Sequence, residues 1–256
     1  MNEYLRQLEA LFHHPALQVS PDQRPAIVGN ILHHLMRPYF LKRTPTMQEK
    51  FGEQQYQVFT RGLADYCLRE YVDSPEPRLT IECIKGLHRQ FYGNAASIPV
   101  KAVDGTMTSM VPGEFKTTRV FIRRHSVPGE WFDTTAPEDV ARDMALLLET
   151  LHDEEIPLVQ RYIRFVADFG RIHPFPDSNG KVYMLLGDLF LLKHGIHPPY
   201  YAKYKLENEA LVYGLYDRYF LDPQRDVSIF YPVVAKAYEG HGVDHCLSKS
   251  DAIAPV

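Results

Sequence analysis

A mainly helical fold with one β-hairpin is predicted by the spacing of apolar residues along the chain. Near the N-terminus, Leu5, Leu8 and Phe12 recur at three- and four-residue intervals, as on one face of a helix. Between residues 95 and 133 this spacing disappears, and prolines and glycines separate short extended runs such as residues 118–122. A β-hairpin is the simplest structure for that stretch. The helical spacing then returns and continues toward the C-terminus.

The segments before the hairpin predict helices with identifiable ends. One helix over about residues 48–71 continues the N-terminal pattern. Thr80 is predicted as the N-cap of the next helix, because its hydroxyl suits the free backbone N–H groups of a first helical turn. This second helix should end near Gly93 and Asn94, since both residue types tolerate a left-handed backbone.

Further helices are predicted after the hairpin. Residues 134–139 supply an N-cap candidate, a proline and first-turn acids for a helix that runs through Leu151. Pro157 begins a helix whose long apolar face ends at His173. The remaining predicted helices cover residues 178–193, which Gly195 closes, and then residues 206–220 and 227–238.

Composition and charge exclude several classes of protein. Of the 256 residues, 45% are hydrophobic and 23% are charged, which is typical of a soluble globular protein. The formal net charge of −4 provides no broad basic field, so nucleic acid is not predicted as a partner. Cys67, Cys83 and Cys246 are widely spaced, which indicates reduced thiols rather than a disulfide framework or a zinc site.

The sequence predicts neither a secretory signal nor a membrane span. The first residues lack a basic region followed by an apolar run. The longest apolar stretch, residues 184–192, is interrupted by Gly187 and Asp188 and is too short to cross a bilayer. We therefore expect a cytoplasmic protein, while delivery into a host cell by a specialised secretion route stays open.

The loop between the two most apolar helices carries the residues for a phosphate site. It ends at a helix start, where free backbone N–H groups favour an anion. Asp177 offers a hard oxygen ligand for Mg²⁺, while Asn179 and Lys181 offer hydrogen bonds and positive charge to phosphate oxygens. Gly180 permits close approach of a ligand to the backbone, and His173 is suited to act as a general base near neutral pH.

Each of these residues has a simpler structural interpretation when it is taken alone. His173 is also a plausible helix C-cap, Asp177 and Asn179 are common turn formers, and Lys181 is a typical solvated side chain. The two histidine pairs at residues 13–14 and 33–34 are interpreted in the same way, as helix-surface or cap residues. The combination at the loop is what favours a functional site.

This loop resembles the signature of the Fic family, written H-P-F-x-D/E-G-N-G-R-x-x-R. The matching residues are His173, Pro174, Phe175, Asp177, Asn179 and Gly180. Residues 112–122 resemble the flap segment of that family, and the segment of Leu87, His88 and Arg89 lies in the usual order before it. The resemblance covers about residues 79–199 and implies a Fic-type helical bundle with a β-hairpin flap over the active site.

The resemblance implies a protein-modifying transferase, since family members typically move AMP from ATP onto a Ser, Thr or Tyr hydroxyl of a target protein. It implies that His173 is the catalytic base, Asp177 the ligand of Mg²⁺ or Mn²⁺, and Phe175 a core anchor. The donor phosphates would be held by Ser178, Asn179, Gly180 and Lys181. The flap residues expected to receive the target as an added strand are Gly113, Lys116, Arg119, Val120 and Ile122.

The resemblance also divides the chain into three parts. Residues 1–78 are predicted as an N-terminal helical region of unassigned role, and residues 79–239 as the Fic-like catalytic domain. Residues 240–256 lack periodicity and are predicted to be a mobile tail. His241, His245 and Cys246 in this tail are ligand types for metals, but a solvated tail is the simpler interpretation.

Three positions depart from the family signature. Ser178 replaces the first motif glycine, Lys181 replaces an arginine, and Met184 stands where a second arginine is usual. The charge lost at Met184 leaves open a donor other than ATP, from which phosphocholine, UMP or a phosphoryl group would be transferred. A second alternative is a degenerate Fic fold that binds a partner without catalysing transfer.

Overall fold

The computed structural model describes residues 3–41, 53–76, 78–93, 95–101 and 105–239. The tail of residues 240–256, with its histidines and Cys246, lies outside the described residues, as do the first residues of the helix predicted over 48–71. No helix in the described part is long and apolar enough to cross a membrane. Cys67 and Cys83 are free thiols, as predicted.

Ten helices form most of the described structure, which confirms the predicted fold class. The helices before the strands are α1 Glu3–Phe12, α2 Arg24–Leu41, α3 Glu53–Cys67 and α4 Ile81–Gln90. The helices after the strands are α5 Val140–His152, α6 Leu158–Ile172, α7 Asn179–Lys193, α8 Tyr201–Glu207, α9 Glu209–Leu221 and α10 Tyr231–Ala237. Thr80 caps α4 as predicted, because its side chain accepts the N–H of Cys83.

Two hairpins replace the one that the sequence predicted between α4 and α5. Strand β1 Ile98–Lys101 pairs antiparallel with β2 Met107–Met110, and β3 Phe121–Arg123 pairs antiparallel with β4 Trp131–Asp133. Residues 111–120 between them form no strand, since Gly113 has a φ of +88° and the N–H of Lys116 donates to the loop carbonyl of Pro174. We call residues 111–133, the connection together with the β3–β4 hairpin, the flap.

The core is built around α6 and α7, the two helices that flank the motif loop. Nearly every residue of α7 from Val182 to Leu192 is buried, so this helix is surrounded by other elements on all sides. Its close approach to α6 depends on Gly187, where an added Cβ would lie 2.8 Å from a methyl group of Val166 and 3.0 Å from the ring of Tyr162. The loop between α6 and α7 is therefore held at both ends by packed helices.

Several helix boundaries differ from the sequence-based expectations. The helix predicted over residues 206–220 is two helices, α8 and α9, interrupted at Asn208, whose φ is −127°. Helix α2 was not predicted, since Pro25 and Pro38 obscure its pattern. A 3-10 turn precedes α5, and no side chain caps it. Buried residues of α1 and α2 belong to the same core as α6 and α7, while a domain boundary at residue 78 stays a prediction.

Candidate active site

The motif loop enters and leaves through left-handed backbone conformations. His173, which ends α6, has φ 52° and ψ 60°, and Ser178, which begins α7, has φ 60° and ψ 11°. A residue with a β-carbon in this conformation costs about 1 kcal/mol or more. Such outliers cluster at functional sites because surrounding contacts are needed to hold them. Contacts with surrounding residues are therefore needed to hold the loop between residues 173 and 178 in this conformation.

His173 is held in one tautomer by the last turn of α6. Its Nδ1 lies 3.1 Å from the carbonyl oxygen of Gly170, which only accepts hydrogen bonds, so Nδ1 carries the proton and Nε2 keeps its lone pair. Burial lowers the pKa of His173 to about 4, and the positive charges of Lys116 and Lys205 act in the same direction. The imidazole is therefore neutral at pH 7, with Nε2 available to accept a proton.

Phe175 and Asn179 hold the loop together from inside. The Phe175 ring is fully buried, which confirms its predicted role as a core anchor. The Phe175 N–H donates to the side-chain oxygen of Asn179 at 2.9 Å, and the Asn179 side-chain nitrogen donates to the Phe175 carbonyl at 2.8 Å. The loop backbone thus engages both polar atoms of the Asn179 amide, and a contact of this amide with a donor phosphate stays a prediction.

Asp177 is the exposed acid of the loop, and its carboxylate is oriented by two donors. One carboxylate oxygen accepts the Ser178 N–H at 2.6 Å, and the other accepts the hydroxyl of Tyr92 at 3.0 Å. Among the described residues there is no group of three or more His, Cys, Asp or Glu side chains that could hold a metal. An exposed, oriented carboxylate fits Mg²⁺, which is commonly bound by one or two carboxylates together with substrate phosphates and water.

The beginning of α7 combines a hydroxyl, a lysine and an apolar wall. Ser178 Oγ lies 2.7 Å from the hydroxyl of Tyr92 and accepts a hydrogen bond from Lys181 Nζ at 3.1 Å. One turn further, Met184 is buried and its terminal methyl lies 3.9 Å from where a Cβ on Gly180 would be. The two departures at 181 and 184 therefore lie on the helix turn that begins at the loop, one charged and one apolar.

The flap is tied to the motif loop through His88 of α4. The His88 Nδ1 accepts the N–H of Gly113 at 2.8 Å, and its Nε2 lies 3.1 Å from the carbonyl oxygen of Asp177. The imidazole also stacks on Phe175, with ring centroids 3.9 Å apart. Since Nδ1 accepts a hydrogen bond from the Gly113 N–H, Nε2 must carry the ring proton and donate a hydrogen bond to the Asp177 carbonyl. Burial lowers the pKa of His88 to about 4, in agreement with this neutral tautomer.

The predicted flap residues differ in solvent exposure. Gly113 and Lys116 are buried, Val120 and Ile122 are half-buried, and Arg119 is exposed. The Lys116 amine donates to the carbonyl of Ile172 at 3.0 Å and to the hydroxyl of Thr134 at 2.5 Å. The Lys116 amine thus holds the end of α6, and the place of Lys116 in a target-binding flap stays a prediction.

A cavity of about 250 Å³ lies beside the flap hairpin. Ile122 and Phe132 of the hairpin line one side of it, and Arg171 and Arg225 belong to its polar lining. None of residues 173–181 lines this space, so the motif loop does not contribute to the cavity.

His88, Tyr92 and Lys205 were not assigned roles by the sequence analysis. His88 lies beside Leu87 on a buried apolar stripe of α4 that also contains Ile84, and Tyr92 follows four residues later in the turn after this helix. A polar ring on a buried stripe is the signal that points to His88. Lys205 gives no such signal, because its neighbours come from other helices.

Comparison with known proteins agrees with this geometry. The profile described as Fic/DOC family matches residues 78–191. The chain is 28% identical over 123 residues to protein adenylyltransferase fic-1 of Caenorhabditis briggsae, covering 47% of this chain and 20% of that protein. It is 30% identical over 124 residues to protein adenylyltransferase Fic of Nematostella vectensis, covering 47% of this chain and 24% of that protein. The matched part is thus a quarter or less of either relative.

Solved structures show the same fold over nearly the whole chain. A Fic domain containing signaling protein from Bacteroides thetaiotaomicron has a TM-score of 0.57 at 19% identity, covering 96% of this chain and 92% of that one. A fragment of Fic-1 from C. elegans has a TM-score of 0.54 at 22% identity, covering 95% of this chain and 70% of that one. Residues 78–191 thus match the Fic/DOC family, and the solved Fic structures share the fold of this chain.

Proposed function

We propose that this protein transfers a phosphate-containing group, in the first instance AMP from ATP, onto a Ser, Thr or Tyr hydroxyl of a target protein. The observation that carries the proposal is the orientation of His173. Its Nδ1 is bound to the Gly170 carbonyl, so the neutral ring offers Nε2 as a base. The exposed carboxylate of Asp177 and the beginning of α7 lie in the same loop.

The proton transfer follows from that orientation. Nε2 of His173 takes the hydroxyl proton as the acceptor oxygen forms a bond to the α-phosphorus of ATP, and the bond from phosphorus to the bridging oxygen of pyrophosphate breaks. The imidazolium that results keeps its Nδ1 hydrogen bond to Gly170. Catalysis at phosphorus then consists mainly of positioning and charge stabilisation, which the site residues supply.

The donor phosphates are held at the beginning of α7 in this proposal. The backbone N–H groups of residues 179 and 180 and the amine of Lys181 bind phosphate oxygens, while the Ser178 N–H is engaged by Asp177. Asp177 would hold Mg²⁺ or Mn²⁺, which neutralises phosphate charge when bound. Asn179 contributes by fixing the loop through Phe175.

The acceptor segment is proposed to bind at the flap as an added strand. Among the described residues, β3 pairs with β4 on one side only. Its other edge offers backbone groups for a target segment, and backbone pairing positions a hydroxyl without demanding a particular sequence. Arg119, exposed just before this strand, is available to contact the target.

Substitution of the base tests the proposal. We expect His173→Ala to lower transfer of radiolabelled AMP to lysate proteins by at least about 100-fold. Affinity for Mg–ATP, measured by calorimetry, should stay within a few-fold, because the base acts on the acceptor. His194→Ala is the matched control: His194 is likewise bonded through Nδ1 to a carbonyl, but it is exposed and lies at the far end of α7. Full transfer by His173→Ala would overturn the mechanism.

A different donor is the second candidate, and the buried methyl group of Met184 beside Gly180 favours it. An apolar wall at that position lacks the charge that a triphosphate would use, which suits transfer of phosphocholine, UMP or a phosphoryl group. Intact-mass analysis of lysate proteins after incubation with ATP, UTP or CDP-choline identifies the added group. A partner-binding module without transfer would show no added mass and no calorimetric binding of any donor.

A further inference from the structure

Lys205 on α8 is a buried cation without a carboxylate partner within 4.0 Å among the described residues. Lys205 is 8% exposed, and its amine donates a hydrogen bond to the hydroxyl of Tyr183 at 3.0 Å. An ammonium has three donors, and burial of an incompletely paired charge is costly. Burial opposes the charge of Lys205, whereas the tyrosines around it raise its pKa above the ordinary value. The amine is therefore charged at neutral pH.

Three tyrosine rings surround this amine. Nζ lies 4.5 Å from the ring centroid of Tyr213, 5.5 Å from that of Tyr183 and 5.7 Å from that of Tyr216. Such cation–π contacts stabilise an ammonium group and hold it in place without neutralising it. Lys116, the other buried lysine, differs because its amine donates to two oxygen acceptors. Lys205 thus keeps its charge available for an anion.

The position of Lys205 relates it to the candidate active site. Tyr183, its hydrogen-bond partner, directly precedes Met184 on α7. The Tyr183 ring packs on Gly170, with 3.7 Å from its Cε1 to where a Cβ on Gly170 would be. Gly170 in turn binds His173 through its carbonyl oxygen. The positive charge of Lys205 also acts to lower the pKa of His173.

We infer that Lys205 binds a phosphate oxygen of the donor and supplies the positive charge that Met184 does not. This inference rests on the proposed function and deepens it. Lys181 at the beginning of α7 is the motif's own remaining cation, and Asp177 beside it is negative. A donor with two or more negative charges is better bound when a second cation reaches it from α8. The chain has in this way replaced a motif charge by one from another helix.

An acyl-phosphate derivative of ATP tests the inference on the full chain. In this reagent a lysine amine close to the bound phosphates attacks the acyl carbon, forms an amide and releases ATP. We expect labelling of Lys181, mapped by peptide mass spectrometry, and at least tenfold suppression by excess Mg–ATP, whereas Lys205, whose amine stays charged and therefore unreactive, is tested by substitution. Lys193, half-buried at the other end of α7 and bonded to the carbonyls of Tyr71 and Ser74, is the internal control and should show no ATP-dependent labelling.

The outcomes separate this inference from the proposed function. Protected labelling of Lys181 together with unchanged Mg–ATP affinity in Lys205→Met would overturn the role of Lys205 and leave ATP as donor. Absence of protected labelling at Lys181 would overturn ATP as donor and this inference with it. As a second measurement, Lys205→Met should weaken Mg–ATP binding by about tenfold or more, as expected for loss of a charged hydrogen bond, while Lys193→Met should not. Lys205→Met with wild-type affinity and wild-type Tm would contradict the inference.

Discussion

The Nε2 atom of His88 lies 3.1 Å from the carbonyl oxygen of Asp177, and this contact joins α4 to the motif loop. The other ring nitrogen accepts the N–H of Gly113 in the flap at 2.8 Å. One neutral imidazole thus holds the flap and the loop at a fixed separation. Both hydrogen bonds require the same tautomer, so protonation of the ring would break the contact with Gly113.

Acidification should destabilise the protein because His88 is buried in its neutral form. Its folded-state pKa is about 4, below the ordinary value, so the unfolded chain binds more protons between these two values. Stability therefore falls as pH is lowered through about 6.5 toward 4, by up to roughly 1.4 kcal/mol per pH unit for each such histidine. Urea unfolding at several pH values measures this slope.

The variant His88→Gln should flatten that dependence, since glutamine does not titrate. Part of the slope should remain, because burial lowers the pKa of His173 to about 4 as well. The variant should also be less stable at pH 7, because the stacking on Phe175 is lost. An unchanged slope between pH 7 and pH 4.5 in His88→Gln would contradict this assignment.

Gly113 should tolerate no side chain. Its φ is +88°, and an added Cβ would lie 2.9 Å from the carbonyl oxygen of Lys85 and 3.0 Å from the side-chain nitrogens of Arg89. Gly129 has a nearly equal φ of +87° with nothing within 4 Å of such a Cβ. Gly129→Ala therefore measures the backbone cost alone, about 1–2 kcal/mol. Gly113→Ala should cost at least about 1 kcal/mol more in chemical denaturation, because the clash involves backbone. Equal losses would argue against the close approach.

Ser178 is predicted to be strained by its own β-carbon. Ser178 has a φ of 60°, and both Ser178→Ala and Ser178→Gly lose the hydroxyl contacts with Tyr92 and Lys181. The alanine variant keeps the backbone strain, because alanine has a β-carbon, whereas the glycine variant removes the strain. The glycine variant should be more stable than the alanine variant by about 1 kcal/mol. Thermal unfolding of the two variants provides the comparison. If alanine proved equal to glycine, the left-handed conformation at this position would be wrong.

The sequence predicted the motif loop well because local rules govern it. A helix end at His173, a helix start at Ser178 and an apolar Phe175 are all properties of adjacent residues. The side-chain contacts escaped prediction. Asn179 looked like a phosphate ligand, and the structure shows that its amide binds the backbone of Phe175, four residues earlier. The inward direction of Lys116 likewise depends on where the end of α6 lies, which no local pattern encodes.

The same distinction applies to the fold. Apolar periodicity predicted the helices that flank the loop, since these are long and strongly patterned. The break between α8 and α9 at Asn208 was missed, because the apolar spacing continues across it. Two hairpins were taken for one, since the run of residues 111–120 is anchored by contacts with Pro174 and His88 that are distant in sequence.

Restoring the motif arginines should test which donor the site has evolved to bind. Lys181 lies at the beginning of α7, and Met184 packs against Gly180 one turn later, so both positions adjoin the proposed phosphate site. If ATP is the donor, Lys181→Arg/Met184→Arg adds a planar, bidentate grip on phosphate oxygens, and transfer from ATP should rise several-fold. If the natural donor has another leaving group, the new charge and bulk replace an apolar wall, and transfer from that donor should fall.

Met184→Leu is the matched control, because leucine keeps position 184 apolar. Tm measurements report the cost in stability of placing a guanidinium at this position, which is 4% exposed. Transfer rates from ATP, UTP and CDP-choline decide between the two, and an equal response to all three would show that these positions do not face the leaving group.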